Sequence, residues 1–292
     1  MQSNNPVFRR SEEFHAGGSN AYGNQTYAGN GSTYQGYGAD PSTWGTGQPG
    51  APGQPTQAPP ITGPMTIDTV VQKTAISVGL VILAAMATWV LTPEISEGAT
   101  AEDLSPLFAA MTIGGLGAFG LSLVNSFKRV VSPALVLAFA ALEGVALGAI
   151  SKLFNSIYEG NVVMGAVVGT FAAFAGTLAA YKFFNIKVGA KFRTFVIAAM
   201  FGMVGLSLME LVLSAFSAEI GLFGVSGLGM LTAFAGLVLG VFMLILDFDF
   251  VEQGIANGLP ERESWRAAFA ITVALVWIYT NLLRILAFFS DN

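Results

Sequence analysis

Seven apolar runs, each close to the ~20 residues a helix needs to cross a bilayer, fill the chain downstream of Lys73 and leave little room for any soluble fold. They cover about residues 74–91, 107–124, 133–154, 162–181, 194–216, 227–246 and 267–289. Composition agrees: hydrophobic residues make up 53% and charged residues 11%, against about 25% charged in a soluble globular chain. The expected fold class is an all-α membrane protein, a seven-transmembrane-helix bundle. A six-span count would require one run to be re-entrant or interfacial. Pro106 and Pro133 fall at first-turn positions of the second and third runs, where proline is tolerated. The first run starts after Thr66, Asp68 and Lys73 and stops at Thr92-Pro93, where proline discourages further helix.

Residues 1–64 are of another kind. Gly, Ser, Asn, Gln, Thr, Pro and Tyr dominate them, with 8 of the 12 prolines and 4 of the 7 tyrosines. A segment with so little to bury cannot offset its ordering entropy and is expected to be a disordered tail. It is either an inert solvated tail or a handle for a partner through its tyrosines. It has no apolar h-region and does not read as a signal peptide. The chain therefore divides into a tail, 1–64, and a transmembrane domain, 65–292.

Charge sets the expected topology. With a cytoplasmic amino terminus, 11 of the 13 cations lie on that side, leaving Lys152 and Arg284 near the other face. By the positive-inside rule the carboxyl terminus, after seven spans, is outside. A net charge of -5 with dispersed cations offers no surface for nucleic acid. With no cysteine there is no thiolate nucleophile, zinc ribbon or iron–sulfur cluster. Gly224-Val225-Ser226-Gly227 spells the Gly-x-Ser-Gly of intramembrane serine proteases, but that chemistry needs a membrane histidine, and His15 in the tail is the only one. No Walker lysine motif, zinc-protease signature or EF-hand loop is present. The chain is expected not to be an enzyme and to need no cofactor.

Three small-xxx-small pairs, Gly144/Gly148, Gly165/Gly169 and Gly236/Gly240, lie in the third, fourth and sixth runs. Such pairs let helix backbones approach closely. They are read as packing within one chain, which is expected to be a monomer.

Ionisable groups inside a bilayer are costly and each asks for an explanation. Glu143 lies ten residues into the third run, about 15 Å deep at ~1.5 Å per residue. Glu210 is sixteen residues into the fifth, about 24 Å by the same rise. Asp247, Asp249 and Glu252 crowd the end of the sixth run. There Asp249, Glu252 and Gln253 share a face if the helix continues, while Asp247 points roughly opposite Asp249, two steps turning about 200°. Carboxylates lining a wet cavity can bind and pass cations, and their protonation can gate the path. The plainer reading makes the cluster interfacial, paired with Lys or Arg of nearby loops. Arg284 and Asn281 share a face near the outer end of the seventh run. Arg284 either snorkels outward or pairs with Glu210 or Glu143.

At these residues the chain resembles the Bax inhibitor family, the transmembrane Bax inhibitor motif proteins and their bacterial relatives. The resemblance rests on Ala141-Leu142-Glu143-Gly144-x-x-Leu147-Gly148, on Leu246-Asp247 closing the sixth helix, and on Leu282-Leu283-Arg284-Ile285-Leu286 in the seventh. Ser132-Pro133, the run from Leu246 to Gly254, Trp277-Ile278-Tyr279 and the Asn5-Pro6-Val7-Phe8 start are similar to an actinobacterial-type subgroup. It implies a seven-helix fold in a bacterial inner membrane and a pH-sensitive calcium leak. It also implies two aspartates, closing the sixth helix and in the seventh, that share a proton. Asp247 matches the first. The second falls near Ala274, where there is no acid, and Asn281 stands where the subgroup often has glutamate. Asp249, Glu252 or Glu143 would have to supply the second carboxyl.

The expected ion path or pH gate is thus Glu143, Asp247, Asp249, Glu252 and Glu210. Glu143, Asp247 and Asp249 are the expected transient Ca²⁺ contacts, and Arg284 and Asn281 the orienting groups. The rival expectation is a non-conducting regulatory protein that binds a membrane quality-control protease or another membrane partner.

Overall fold

The computed structural model describes residues 63–95, 100–158, 160–218, 220–225 and 227–290. Nearly all of the tail expected for 1–64 lies outside these residues. Seven long helices follow one another: α1 (Ile67–Leu91), α2 (Ala101–Phe127), α3 (Pro133–Ile157), α4 (Val162–Phe183), α5 (Ala190–Ala215), α6 (Gly227–Ala256) and α7 (Glu263–Ser290). All seven are long and apolar enough to cross a membrane. The seven-span count holds and the protein is a multi-pass membrane protein.

The helices outrun their apolar stretches. α1 begins at Ile67, where Thr66 and Thr69 form a reciprocal capping box, so Asp68 and Lys73 are inside the helix rather than ahead of it. Thr100 and Asp103 start α2 in the same way, which moves Pro106 from the expected first turn to the sixth residue of the helix. Pro133 does open α3. α6 runs on to Ala256, ten residues past the expected end, so Asp247, Asp249 and Glu252 lie within a helix and do not cap one.

α7 is the hub, with α1, α3, α4 and α6 packed around it, while α2 rests on α3 and α5 on α6. The three glycine pairs build these contacts within the chain, as expected. Gly144 and Gly148 bring α3 against the α1 backbone at Val81 and Ala85. A Cβ at Gly165 would lie 3.0 Å from Leu286, and one at Gly240 2.6 Å from Ile278, both on α7.

Polar contacts tie the helix ends. Lys152 Nζ donates to the carbonyls of Trp89 (2.8 Å) and Thr92 (2.7 Å), which caps α1 with a cation at its negative end. At the opposite face Lys73 pairs with Glu261 at 2.8 Å, and Thr69 shares a 2.8 Å hydrogen bond with Ser264. The backbone of Gly63 and Met65 bonds to Glu261 N and Leu259 O, so the chain entering α1 is strapped to the α6–α7 turn.

Candidate functional site

Contacts along α7 fix the register of its neighbours. α3 runs parallel to it, with Phe139 edge-to-face with Phe269 at 5.0 Å and Ser151 bonded to Tyr279 at 2.6 Å. In a helix of 100° per residue, Glu143 lies on the stripe between Phe139 and Ser151, opposite about residues 272–273. α6 runs antiparallel, with Gly236 against Asn281 and Gly240 against Ile278. Continuing that register puts Asp247 on the same stripe, opposite about residues 270–271. α1 runs parallel to α7 from the Thr69–Ser264 bond, which sets Ser77 level with Thr272.

By this register Asp247, Ser77 and Glu143 lie at about one depth, roughly 12 Å along α7 from Glu263, with Thr74 about one turn nearer Glu263 and on the α3 side of α1. Asp247 Oδ2, Ser77 Oγ and Thr74 Oγ1 are buried with no hydrogen-bond partner among the described residues. Glu143 is half-buried and in no ion pair among the described residues. The two acids do not form one cluster, because α3 and α6 flank opposite sides of α7. Thr74 and Ser77 of α1 stand between those sides. Sequence reasoning missed both hydroxyls, since serine and threonine in an apolar helix ordinarily bond back to their own backbone and carry no pattern.

The remaining candidates are engaged. Asp249 does point away from Asp247: its Oδ2 accepts from Arg193 at 2.9 Å and from Gln253 at 2.7 Å, which holds α5 to α6. Glu252 accepts from the Tyr181 hydroxyl at 2.6 Å, holding α4. The expected pairing with Lys or Arg of a nearby loop is met only in part: Asp249 pairs with Arg193, which lies in α5, and Glu252 meets a tyrosine, so Arg193 offsets part of the negative charge that the end of α6 disfavours. Among the described residues no three Asp, Glu or His come together as a metal group.

Glu210 and Arg284 work on a loop, and the expected pairing of Arg284 with Glu210 or Glu143 is not formed among the described residues. Glu210 Oε1 accepts from Gly221 N–H at 2.7 Å. Arg284 Nη2 donates to the carbonyls of Leu222 (2.9 Å) and Gly229 (2.7 Å) and to Thr232 Oγ1 (3.0 Å). Its guanidinium stands 5.3 Å from the Phe223 ring, and Asn281 lies at 3.4 Å. The two charges thus grip neighbouring peptide groups of the α5–α6 loop. Arg284→Ala is expected to release about 1–3 kcal/mol of charge-assisted bonding. Amide hydrogen exchange over residues 221–232 should rise about tenfold or more, and unchanged exchange there would contradict the clamp.

Residues 5–291 match the sequence model of the family described as Bax inhibitor 1 like. The chain belongs to the Bax inhibitor 1 like family. No curated protein matches it. As a Bax inhibitor 1 like protein it departs from the implied aspartate pair in a defined place. Ala274 is fully buried on the α6-facing stripe of α7, one turn from the level of Asp247. Near this position, where this chain has a methyl group, the resemblance implies a second carboxyl. Asp249 and Glu252 do not replace it, since their side chains are held by α5 and α4.

Proposed function

We propose that this Bax inhibitor 1 like protein is a non-enzymatic, monomeric leak path for Ca²⁺ or another cation, gated by protonation of Asp247, with Glu143 as a second ion contact. The observation that carries this reading is the buried Asp247 Oδ2, without a hydrogen-bond partner among the described residues, at about the depth of Ser77 Oγ, which also has none there. A carboxyl oxygen without a partner inside a membrane is costly unless water, a proton or an ion reaches it. By the α6–α7 register, the α7 residues near the level of Asp247 on the side towards α6 are Ala270, Ile271 and Ala274. Lys73 of α1 is committed to Glu261, and Arg193 of α5 to Asp249. A single carboxyl then titrates in place of a proton-sharing pair. The setting is a bacterial inner membrane, with the amino terminus cytoplasmic by the cation distribution.

Purified protein in sealed liposomes, beside empty liposomes, tests the proposal. Ca²⁺ entry above the empty control that varies between pH 6 and 8 is expected, and entry equal to the control at every pH would overturn it. The rival is a non-conducting regulator binding a membrane protease, for which the Tyr-containing segment ahead of Gly63 would be the handle. Removing residues 1–62 should then abolish co-purification of a membrane partner while leaving any flux intact.

A further inference from the structure

An internal space lies away from Asp247. A cavity of about 340 Å³ lies between α1, α3, α4 and α7, within the size range of small-ligand sites. Its lining on α1 runs from Val78 to Val90, about 18 Å of helix and a little over half of a ~30 Å hydrocarbon core. The rim residues Ile82, Met86 and Phe171 are 41%, 60% and 45% exposed, so the cavity opens sideways at membrane depth.

Four hydroxyls line it, and each is already bonded. Ser151 and Tyr279 bond each other at 2.6 Å, Thr170 donates to Ala166 O at 2.7 Å, and Thr272 donates to Ala268 O at 2.7 Å. A buried water needs two to four polar partners; here the Thr170 and Thr272 protons are already donated to backbone, which leaves mainly scattered hydroxyl lone pairs in an otherwise apolar wall. Such a wall is a poor host for hydrated ions. The space is long, apolar, one leaflet deep and open towards the bilayer, which is the shape and chemistry of a hydrocarbon chain.

We propose that this cavity is a binding site for a single acyl chain of a membrane lipid, on the side of α7 away from Asp247. The lipid enters between α1 and α4 and lies against Gly148 and Tyr279. Bound there, it packs directly on α7.

The test uses Trp89, which lines the cavity. Full-length protein in detergent micelles is titrated with phosphatidylglycerol carrying a dibrominated acyl chain. The Trp89 signal is taken as the difference between wild type and Trp89→Phe. Quenching that saturates at one lipid per chain is expected. Val167→Phe, which fills the cavity, should raise the half-saturation point about tenfold or more, while Leu231→Phe on an exposed part of α6 should leave it unchanged. Val163→Leu, a smaller intrusion, gives the same reading if Val167→Phe loses helicity. Quenching linear in lipid for the wild type marks ordinary lipid contact and overturns the site. So does saturable quenching that survives in a folded cavity-filling variant, or loss of quenching as the chain dimerises.

Discussion

Replacing Gly148 with leucine should remove the close seam between α1 and α3 and with it much of the stability of the bundle. Position 148 faces the Ala85 backbone so closely that even a Cβ has no room, and the neighbouring atoms are main chain, which cannot rotate away. Inside a membrane, helices associate through packing and not through exclusion of water, so separating these two backbones forfeits contacts along the seam. Overpacking a core costs about 1–3 kcal/mol, and a leucine against backbone sits at or above the upper end. A fall in the thermal unfolding midpoint of roughly 10 °C in detergent is expected, taking 2–4 °C per kcal/mol for a domain of this size. Gly176→Leu on α4 is the matched control, because a Cβ there meets nothing within 4 Å. Equal midpoints for the two variants would contradict the account of the seam.

Asp247→Asn should abolish the response of cation flux to pH. Asparagine keeps the size of the side chain and removes its only proton, so nothing at the α6–α7 interface changes charge between pH 6 and 8. A single titrating carboxyl alters its minor form about tenfold per pH unit away from its midpoint, so the wild type has room for a large change and the variant has none. Ala274→Asp asks the complementary question. It sets a second carboxyl one turn from Asp247, where two like charges cannot both ionise freely. Its pH profile should broaden into two steps, and a profile identical to wild type would place residue 274 away from Asp247.

Much of the bundle was legible because membranes restrict what a chain can do. Seven apolar runs and three glycine pairs specified the helices and several of their contacts. Helix ends were less legible, since hydropathy marks the lipid-facing stretch while α6 continues ten residues into polar sequence. Thr66 and Thr100 signal the starts of α1 and α2 by capping chemistry that apolar runs do not register. The opposed directions of Asp247 and Asp249 follow from the 100° step and were foreseen. Partners were another matter. Arg284 binds backbone carbonyls, which every residue type provides, so no side-chain pattern announces them. The pairing of Asp249 with Arg193 spans 56 residues and depends on where α5 docks.

The most direct test of the central claim compares Asp247→Asn with Asp249→Asn in sealed liposomes, with Ca²⁺ entry measured at pH 6, 7 and 8 beside wild type. The account predicts a flat profile for Asp247→Asn alone, with Asp249→Asn keeping the wild-type pH dependence because its carboxylate is held by Arg193 and Gln253. A pH response that survives in Asp247→Asn and disappears in Asp249→Asn would contradict it.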